Sequence, residues 1–137
     1  MKGVKATMIK TKKVLKITVV GFVLLGVFGA IALGVLVLDI RKSVLEKCAA
    51  AQKAHPHPGD DVAALIDYMN SQEHSFPERN SAIWVLGRLR STGALPALQA
   101  VYTGGLCDHK SNLCQYELAK AIRRCGGTPT PPPKTGH

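Results

Sequence analysis

Four cysteines and five histidines carry the side chains most able to bind a metal or to form covalent links in this 137-residue chain. Residues 107–114, CDHKSNLC, combine two thiols with an imidazole, and Cys125 is a further thiol. Their spacing matches no zinc motif, and the haem-attachment pattern Cys-x-x-Cys-His is absent. We therefore predict no metal and no cofactor, and we interpret the cysteines as structural.

The spacing of the cysteines limits how they can pair. Cys107 precedes the last predicted helix and Cys114 lies in its first turn, so a chain reversal would let them form a short bridge. Cys114 and Cys125 are excluded, because 11 residues of helix separate them by about 16 Å, whereas a disulfide needs about 4.4 to 6.8 Å. Elimination leaves Cys48 with Cys125, although the central helix would lie between them. A free Cys48, or a bridge between two copies, is the alternative.

Other catalytic patterns are absent from the sequence. It has no nucleophile elbow, no glycine-rich phosphate loop and no His-Glu-x-x-His zinc helix. The acidic residues resemble helix-start and surface residues and not a paired-carboxylate site. The histidines fall in predicted loops and none pairs with another on a helix face, so we interpret them as solvated. We predict that the chain is not an enzyme. The histidines are His55, His57, His74, His109 and His137.

A hydrophobic block occupies residues 17–38 without a charge or a proline. As a helix it spans about 33 Å, against about 30 Å for the hydrocarbon core of a bilayer. The apolar part of a cleaved signal peptide is usually shorter, about 7 to 15 residues, and ends at small residues. This block is longer and continues into Val-Leu-Asp-Ile-Arg, so we predict a retained transmembrane helix over residues 17–40.

Charge predicts the orientation of this helix. The chain carries 18 basic and 9 acidic residues, a net charge of +9. Six lysines precede the block, so the residues after position 40 include twelve basic and eight acidic ones, a net charge of +4. Lysines near a span tend to stay in the cytoplasm, and four cysteines suit an oxidising compartment. We predict a single-pass protein of the bacterial inner membrane, with residues 1–16 cytoplasmic, a periplasmic C-terminal domain, membrane lipid around the span and no nucleic-acid partner.

Small residues follow one face of the predicted span. Gly26, Ala30 and Gly34 recur at i, i+4 and i+8, a spacing that lets a second helix approach closely. They would form a packing seam for a dimer or a partner subunit. The alternative is that glycine and alanine are simply common in membrane helices.

Turn and capping signals divide the rest of the chain. No glycine or proline interrupts the chain from Arg41 to His55, and Pro56 follows. Residues 41–56 are therefore predicted to form a helical stalk that continues the anchor helix. Residues 128–137, TPTPPPKTGH, predict a disordered proline-rich tail. No strand pattern is present, and the predicted fold class is all-α. The further helices are Asp61–Met69, the segment from the Ser75 cap to about Arg90, Ala94–Tyr102 and about Ser111–Cys125.

The helices repeat one another. The apolar spacing of the long central helix recurs 36 residues later, and Ala64-Leu65 recurs as Ala97-Leu98 at an offset of 33. Paired helices with a period of this size are typical of an α-solenoid, in which each unit covers its neighbour's apolar face. The matched positions at the 36-residue offset are Ala82, Val85, Leu86 and Leu89 with Leu118, Ala121, Ile122 and Cys125.

The segment ERNSAIWVLGRLRSTGALPALQAVY resembles a HEAT-like repeat of the bacterial type. The resemblance is carried by Arg79 at the helix start, Leu86-Gly87, the turn at Gly93 and the ALPAL run that opens the second helix. It extends loosely over residues 60–125, with Gln115 where the next starting arginine would fall. It implies a short HEAT-like α-solenoid over residues 57–127 that contacts proteins and brings no catalytic residues.

Two surface features complete the sequence reading. Arg88, Arg90, Arg123 and Arg124 would form a basic patch near two helix ends, facing anionic lipid or an acidic partner, or would simply be solvated helix-end charges. Trp84 is expected in the core, with a binding surface as the alternative.

The leading hypothesis is a membrane-anchored helical-repeat interaction module, an accessory or scaffolding subunit of a bacterial envelope membrane complex. Its partner would be another envelope protein or a second copy. The alternative is a redox- or metal-responsive sensor built on the four cysteines. A third possibility is a lyase-like enzyme, since some HEAT-like relatives act on bilin chromophores, but no residue here specifies that chemistry.

Overall fold

The computed structural model describes the backbone of residues 2–131 and the side chains of residues 18–131. It is all-helical, with about 71% of the residues in helices and no strand in the described part. The predicted helices after residue 41 are confirmed to within a few residues, except that the last one begins at Gln115. The first helix begins at Lys2, well before the predicted span over residues 17–40. The helices are α1 (Lys2–Ala54), α2 (Asp61–Asn70), α3 (Phe76–Leu89), α4 (Leu95–Val101) and α5 (Gln115–Arg124), with a 3-10 turn at Thr92–Ala94.

The chain forms two compact units that divide after Arg41, within α1. The first unit holds the apolar part of α1, where an 18-residue window has a mean hydropathy of 2.7 and no buried share. Of the described helices, this one alone is long and apolar enough to cross a membrane, and a signal sequence would share those properties. A side chain added at Gly26 or Gly34 would meet nothing within 4 Å, so the predicted packing seam, Gly26, Ala30 and Gly34, is exposed.

The segment predicted as a stalk supplies core residues to the second unit. Cys48 and Ala51 are buried and Val44 packs against the same core. The spacing of these three residues, i, i+4 and i+7, places them on one face of the helix. The last three turns of α1 are therefore a wall of the folded domain and not a free connector.

A glutamine fixes the turn between α1 and α2. The side-chain amide of Gln52 donates to the carbonyl of His57 at 2.8 Å and accepts from its backbone N–H at 2.9 Å. Gly59 has a φ of +81°, a conformation that side chains rarely adopt. Asp60 then caps α2 by accepting from the N–H of Ala63 at 2.9 Å.

Helix α3 is the centre of the second unit and packs against both α2 and α5. It begins with a capping box, in which the Glu78 carboxylate accepts from the backbone N–H of Ser75 at 2.9 Å. Towards its end, a Cβ added at Gly87 would lie 2.9 Å from the Cα of Ala121, so α3 and α5 touch backbone to backbone. The largest fully buried core side chains are Leu65, Met69, Ile83, Val85, Leu86, Leu98, Cys114, Leu118 and Ile122.

Most positions that repeat in the sequence are buried alike. Leu65 and Leu98 are both fully buried. Ala82, Val85 and Leu86 on α3 are fully buried as well. Their counterparts on α5 are at most 2% exposed: Leu118, Ala121 and Ile122. The last matched pair differs, since Leu89 is 38% exposed whereas Cys125 is buried. Leu89 is the final residue of α3, and Arg90 after it turns the chain away with a left-handed φ of 53°.

Arg79 and Gln115 occupy the same position in the two repeated segments and make the same kind of contact. The guanidinium of Arg79 donates to the carbonyl of Met69, in the last turn of α2, at 2.7 Å. The side-chain amide of Gln115 donates to the carbonyl of Val101, the last residue of α4, at 3.5 Å. Each side chain thus satisfies an otherwise unpaired carbonyl at the end of the preceding helix.

The first residues of the predicted disordered tail contact α4. The Gln99 side chain donates to the carbonyl of Thr128 at 2.6 Å and accepts from the N–H of Thr130 at 3.5 Å. Residues 128–131 are therefore held on the domain. The rest of that prediction, residues 132–137, lies outside the described residues, as do the side chains of residues 1–16.

Candidate functional site

A groove lies between the loop that follows α4 and the first turns of α5. Its volume is about 280 Å³. Leu106 at its rim is 92% exposed and Tyr116 is 64% exposed. Large apolar side chains of this kind are more often buried in folded proteins. We call this feature the loop groove. Its lining residues are Tyr102, Gly104, Gly105, Leu106, Cys107, Gln115, Tyr116 and Ala119.

A disulfide fixes the loop beside this groove. Cys107 and Cys114 are bonded, with their Cα atoms 4.5 Å apart, which confirms the predicted pair. Cys114 is fully buried and is the N-cap residue of α5, so the bridge attaches an exposed loop to the start of a core helix.

Asn80 and Gln115 are the buried polar residues of the described core, and both hold this loop. Asn80, on α3, accepts from the N–H of Cys114 at 2.7 Å and donates to the carbonyl of Asn112 at 3.2 Å. Gln115 accepts from the N–H of Thr103 at 2.7 Å. Sequence reasoning did not single out Asn80, whose only signal was an amide in phase with the buried face of α3.

An aspartate shapes the segment between the two bridged cysteines. The Asp108 carboxylate accepts from the hydroxyl of Ser111 and from the backbone N–H of Lys110, the latter at 3.0 Å. These hydrogen bonds, that from Ser111 above all, hold the pKa of Asp108 below its ordinary value of 3.8. The carbonyl of Asp108 accepts from the N–H of Asn112 at 3.0 Å, which closes the turn.

Three potential metal ligands meet at the disulfide. The sulfur atoms of Cys107 and Cys114 and an imidazole nitrogen of His109 all lie within 4.8 Å of one another. The distance from the Cys107 sulfur to Nε2 of His109 is 3.5 Å. Because each sulfur is bonded to the other, neither offers a thiolate, and this group could bind a soft metal only after reduction.

The second predicted disulfide is not formed, since Cys48 and Cys125 are both free and buried. Each thiol has its own neighbours: the carboxylate of Asp61 lies near Cys48, and the Cys125 thiol donates to the carbonyl of Leu86 at 3.6 Å. Burial raises the pKa of Cys125. A buried thiol of raised pKa is rarely a thiolate, so Cys125 is a poor nucleophile.

Two histidines expected to be solvated instead contact each other. Nε2 of His55 and Nε2 of His74 lie 3.2 Å apart, and both rings are half-buried. The ring of Tyr68 stacks on that of His74, with centroids 3.6 Å apart. Sequence spacing gave no sign of this pair, because His55 follows α1 and His74 precedes α3. His57 lies apart from them and contacts Asp67 at 2.6 Å.

The four arginines of the predicted basic patch lie at the ends of α3 and α5. Arg88, Arg90 and Arg123 are exposed, and Arg124 is half-buried. The guanidinium of Arg88 lies 5.2 Å from the ring centroid of Trp84, which is itself half-buried against the core. Within residues 18–131 none of these arginines pairs with a carboxylate, so their charge is open to an anionic partner.

Comparisons with protein-family models, curated proteins and solved structures find no match to this chain. The HEAT-like resemblance therefore stays a prediction.

Proposed function

We propose that this chain is a membrane-anchored interaction module, whose short HEAT-like helical domain binds another envelope protein. It would act as an accessory or scaffolding subunit of a bacterial membrane complex. The observation that carries this proposal is the loop groove, with Leu106 92% exposed beside it.

A large apolar side chain in water costs free energy, about 25 cal/mol for each Å² left unburied. The exposure of Leu106 carries this free-energy cost, and the loop that holds it is fixed by the Cys107–Cys114 bridge and by Gln115. A partner that covers Leu106 would recover that energy without having to order the loop. Interface anchors are enriched in tyrosine and lie in pockets that exclude water, so Tyr116 in the loop groove would be the anchor and Leu106 the apolar residue beside it.

The repeated contacts of Arg79 and Gln115 support the helical-repeat part of the proposal. Each side chain joins the start of one helix to the carbonyl end of the helix before it. Repeat proteins are built from such neighbour-to-neighbour contacts, and they present extended surfaces to other proteins.

The apolar part of α1 supports the membrane part. Its residues from position 18 are exposed along a helix with no protein neighbour, and lipid is the solvent that suits them. The six lysines before the span favour a cytoplasmic N-terminus and a periplasmic domain in the bacterial inner membrane. The exposed seam of Gly26, Ala30 and Gly34 would then be available to a partner helix or to a second copy.

A photo-crosslinking amino acid placed at Leu106 tests the proposed interface in intact cells. We expect a discrete adduct with one protein at this position and none at Gln72, another exposed residue, between α2 and α3. Adding Tyr116→Ala should weaken the adduct, because Tyr116 lines the same groove. Equal labelling from Leu106 and Gln72, or an adduct indifferent to Tyr116, would reject the loop groove as the interface.

A reporter enzyme that is active only after export tests the orientation. Fused after His137, it should be active, and the activity should stay with the membrane pellet after washing at high salt. An inactive reporter would place the domain in the cytoplasm. Activity in the soluble fraction would instead indicate a cleaved leader.

The second candidate function is a redox- or metal-responsive sensor. It is favoured by the closeness of Cys107, His109 and Cys114, which could take up a soft metal once the bridge is reduced by a dithiol. The two remaining thiols add little to it, because Cys48 and Cys125 are buried apart from this group. Metal retained by the protein as isolated, together with four free thiols, would favour this candidate over the first.

A further inference from the structure

Two loops of the domain bring imidazole nitrogens together. His55 directly follows the last residue of α1, and His74 precedes the capping box of α3, 19 residues later. Their Nε2 atoms lie 3.2 Å apart. Both rings are half-buried, so the pair is held by the protein on one side and is reachable from water on the other.

The separation suits two ligands of one metal ion. A zinc–imidazole bond is about 2.0 to 2.1 Å long and zinc prefers tetrahedral angles, so two nitrogens on one ion lie about 3.3 Å apart. The rings are nearly perpendicular, at 86°, with centroids 5.4 Å apart. The two nitrogens face each other along the line that joins the rings, and a modest rotation of each ring would direct both lone pairs at one point beside that line.

Tyr68 presets the positions of both rings. It is buried on α2, and its ring stacks on His74 with an interplanar angle of 9°. The ring of His55 meets Tyr68 edge-on, with centroids 6.1 Å apart. Ligands that are already ordered bind a metal more tightly, because less conformational freedom is lost on binding.

One acidic and one basic side chain lie near the pair or its supporting tyrosine. The carboxylate of Glu78 on α3 is close enough to His74 for the two to interact, and it would partly balance a dication. The amino group of Lys47 on α1 lies 6.0 Å from the Tyr68 ring centroid and is a nearby positive charge. The pair therefore supplies two ligand atoms and leaves other coordination positions to water.

We propose that Nε2 of His55 and Nε2 of His74 bind one zinc ion, which links the end of α1 to the loop before α3. This site is separate from the disulfide group and goes beyond the interaction function proposed above. Without the ion the two nitrogens share a hydrogen bond; with it, each nitrogen directs a lone pair at the metal.

Calorimetric titration with zinc tests the proposal. The full chain, without a polyhistidine tag, is stripped with a chelator in detergent and titrated near neutral pH. We expect one zinc ion per chain and a rise in thermal stability. His55→Gln should weaken binding about tenfold or more, and so should His74→Phe, which keeps a ring to stack on Tyr68 but removes the nitrogens.

Two further histidine variants are matched controls. His57→Gln removes an imidazole that contacts Asp67 and not this pair, and His137→Gln removes the terminal imidazole. Both should bind zinc within about twofold of the unchanged protein. Unchanged affinity in His55→Gln and His74→Phe would overturn the proposal, and so would loss of binding in a Cys107→Ser, Cys114→Ser variant.

A spectroscopic measurement keeps the proposal testable if a variant does not fold. Cobalt replaces zinc and absorbs strongly in the visible range when its geometry is tetrahedral. In the unchanged protein, cobalt should give this absorption and should broaden the NMR signals of His55 and His74 ahead of those of His57. Broadening that begins at His109 or His57 would contradict the assignment.

Discussion

The side-chain carbonyl of Asn80 accepts a hydrogen bond from the backbone N–H of Cys114 at 2.7 Å, deep in the domain. Asn80 is only 5% exposed. A residue of the central helix thus positions the cysteine that closes the exposed loop. The shape of the loop groove consequently depends on the core and not on the loop alone.

Replacing Asn80 by alanine should destabilise the domain by about 1 to 3 kcal/mol, since a buried N–H and a carbonyl lose their partner. The free energy of unfolding in urea is the measurement. Lys110→Ala, an exposed change within the same loop, should stay within about 0.5 kcal/mol of the unchanged protein. An equal loss in the two variants would show that Asn80 has no special role.

Gly87→Ala should also destabilise the domain, by about 1 to 3 kcal/mol. The added methyl group would lie 2.9 Å from the Cα of Ala121, and backbone atoms cannot move aside cheaply. Gly93→Ala is the matched control, because its methyl group would meet only the Ser91 hydroxyl, at 3.4 Å.

The contact between Gly87 and Ala121 can be tested further by combining Gly87→Ala with Ala121→Gly. The Cβ of Ala121, which would lie 3.0 Å from the added methyl group, is then absent, while the contact with its Cα remains. Part of the lost stability should therefore return, although glycine in a helix costs about 0.5 to 1 kcal/mol. A positive coupling in this double-mutant cycle is expected. Strictly additive effects would argue against a direct contact between the two positions.

Thiol counting distinguishes the structural cysteines from a sensor. With the fold intact, Cys48 and Cys125 should label slowly because both are buried. Unfolding without reductant should expose these two thiols, and adding reductant should release two more from the Cys107–Cys114 bridge. Mass spectrometry after alkylation gives the count at each step. Four thiols without reductant would contradict the disulfide.

Asp108 should make the free energy of unfolding of the domain sensitive to acid. Its pKa in the folded chain is lowered, chiefly by the Ser111 hydroxyl. The stabilisation is therefore complete above the ordinary aspartate value of 3.8 and is lost as the pH falls through the lower folded value. Asp108→Asn should accordingly lose less stability than the unchanged protein as the pH falls below 3.8. Urea unfolding at each pH measures this, and identical slopes would refute it.

The features that follow from local sequence were predictable. Capping and turn residues located α2, α3, α4 and the end of α5, and Cys107 and Cys114 lie only seven residues apart, so their bridge needs no knowledge of distant packing. The long apolar helix was likewise evident from composition alone.

The features that depend on packing were not predictable. The pairing of Cys48 with Cys125 followed from elimination and was wrong, whereas the alternative of a free Cys48 is confirmed. Elimination counts the cysteines and does not give the distance at which packing holds them. The contact between His55 and His74 requires α1 to end beside the loop before α3, which no local pattern specifies. Leu106 could be seen in the sequence as a loop residue, but not as a side chain at the rim of a groove.

The burial of Cys48 and Ala51 limits where a protease can trim the chain. A cut just before Lys42 would spare every one of the core side chains, whereas a cut beyond Ala51 would remove two of them and open a gap that water would enter. Any maturation that leaves a working domain must therefore sever the chain upstream of Val44. Any form of the domain that is shortened at its N-terminus would therefore keep these final turns of the helix.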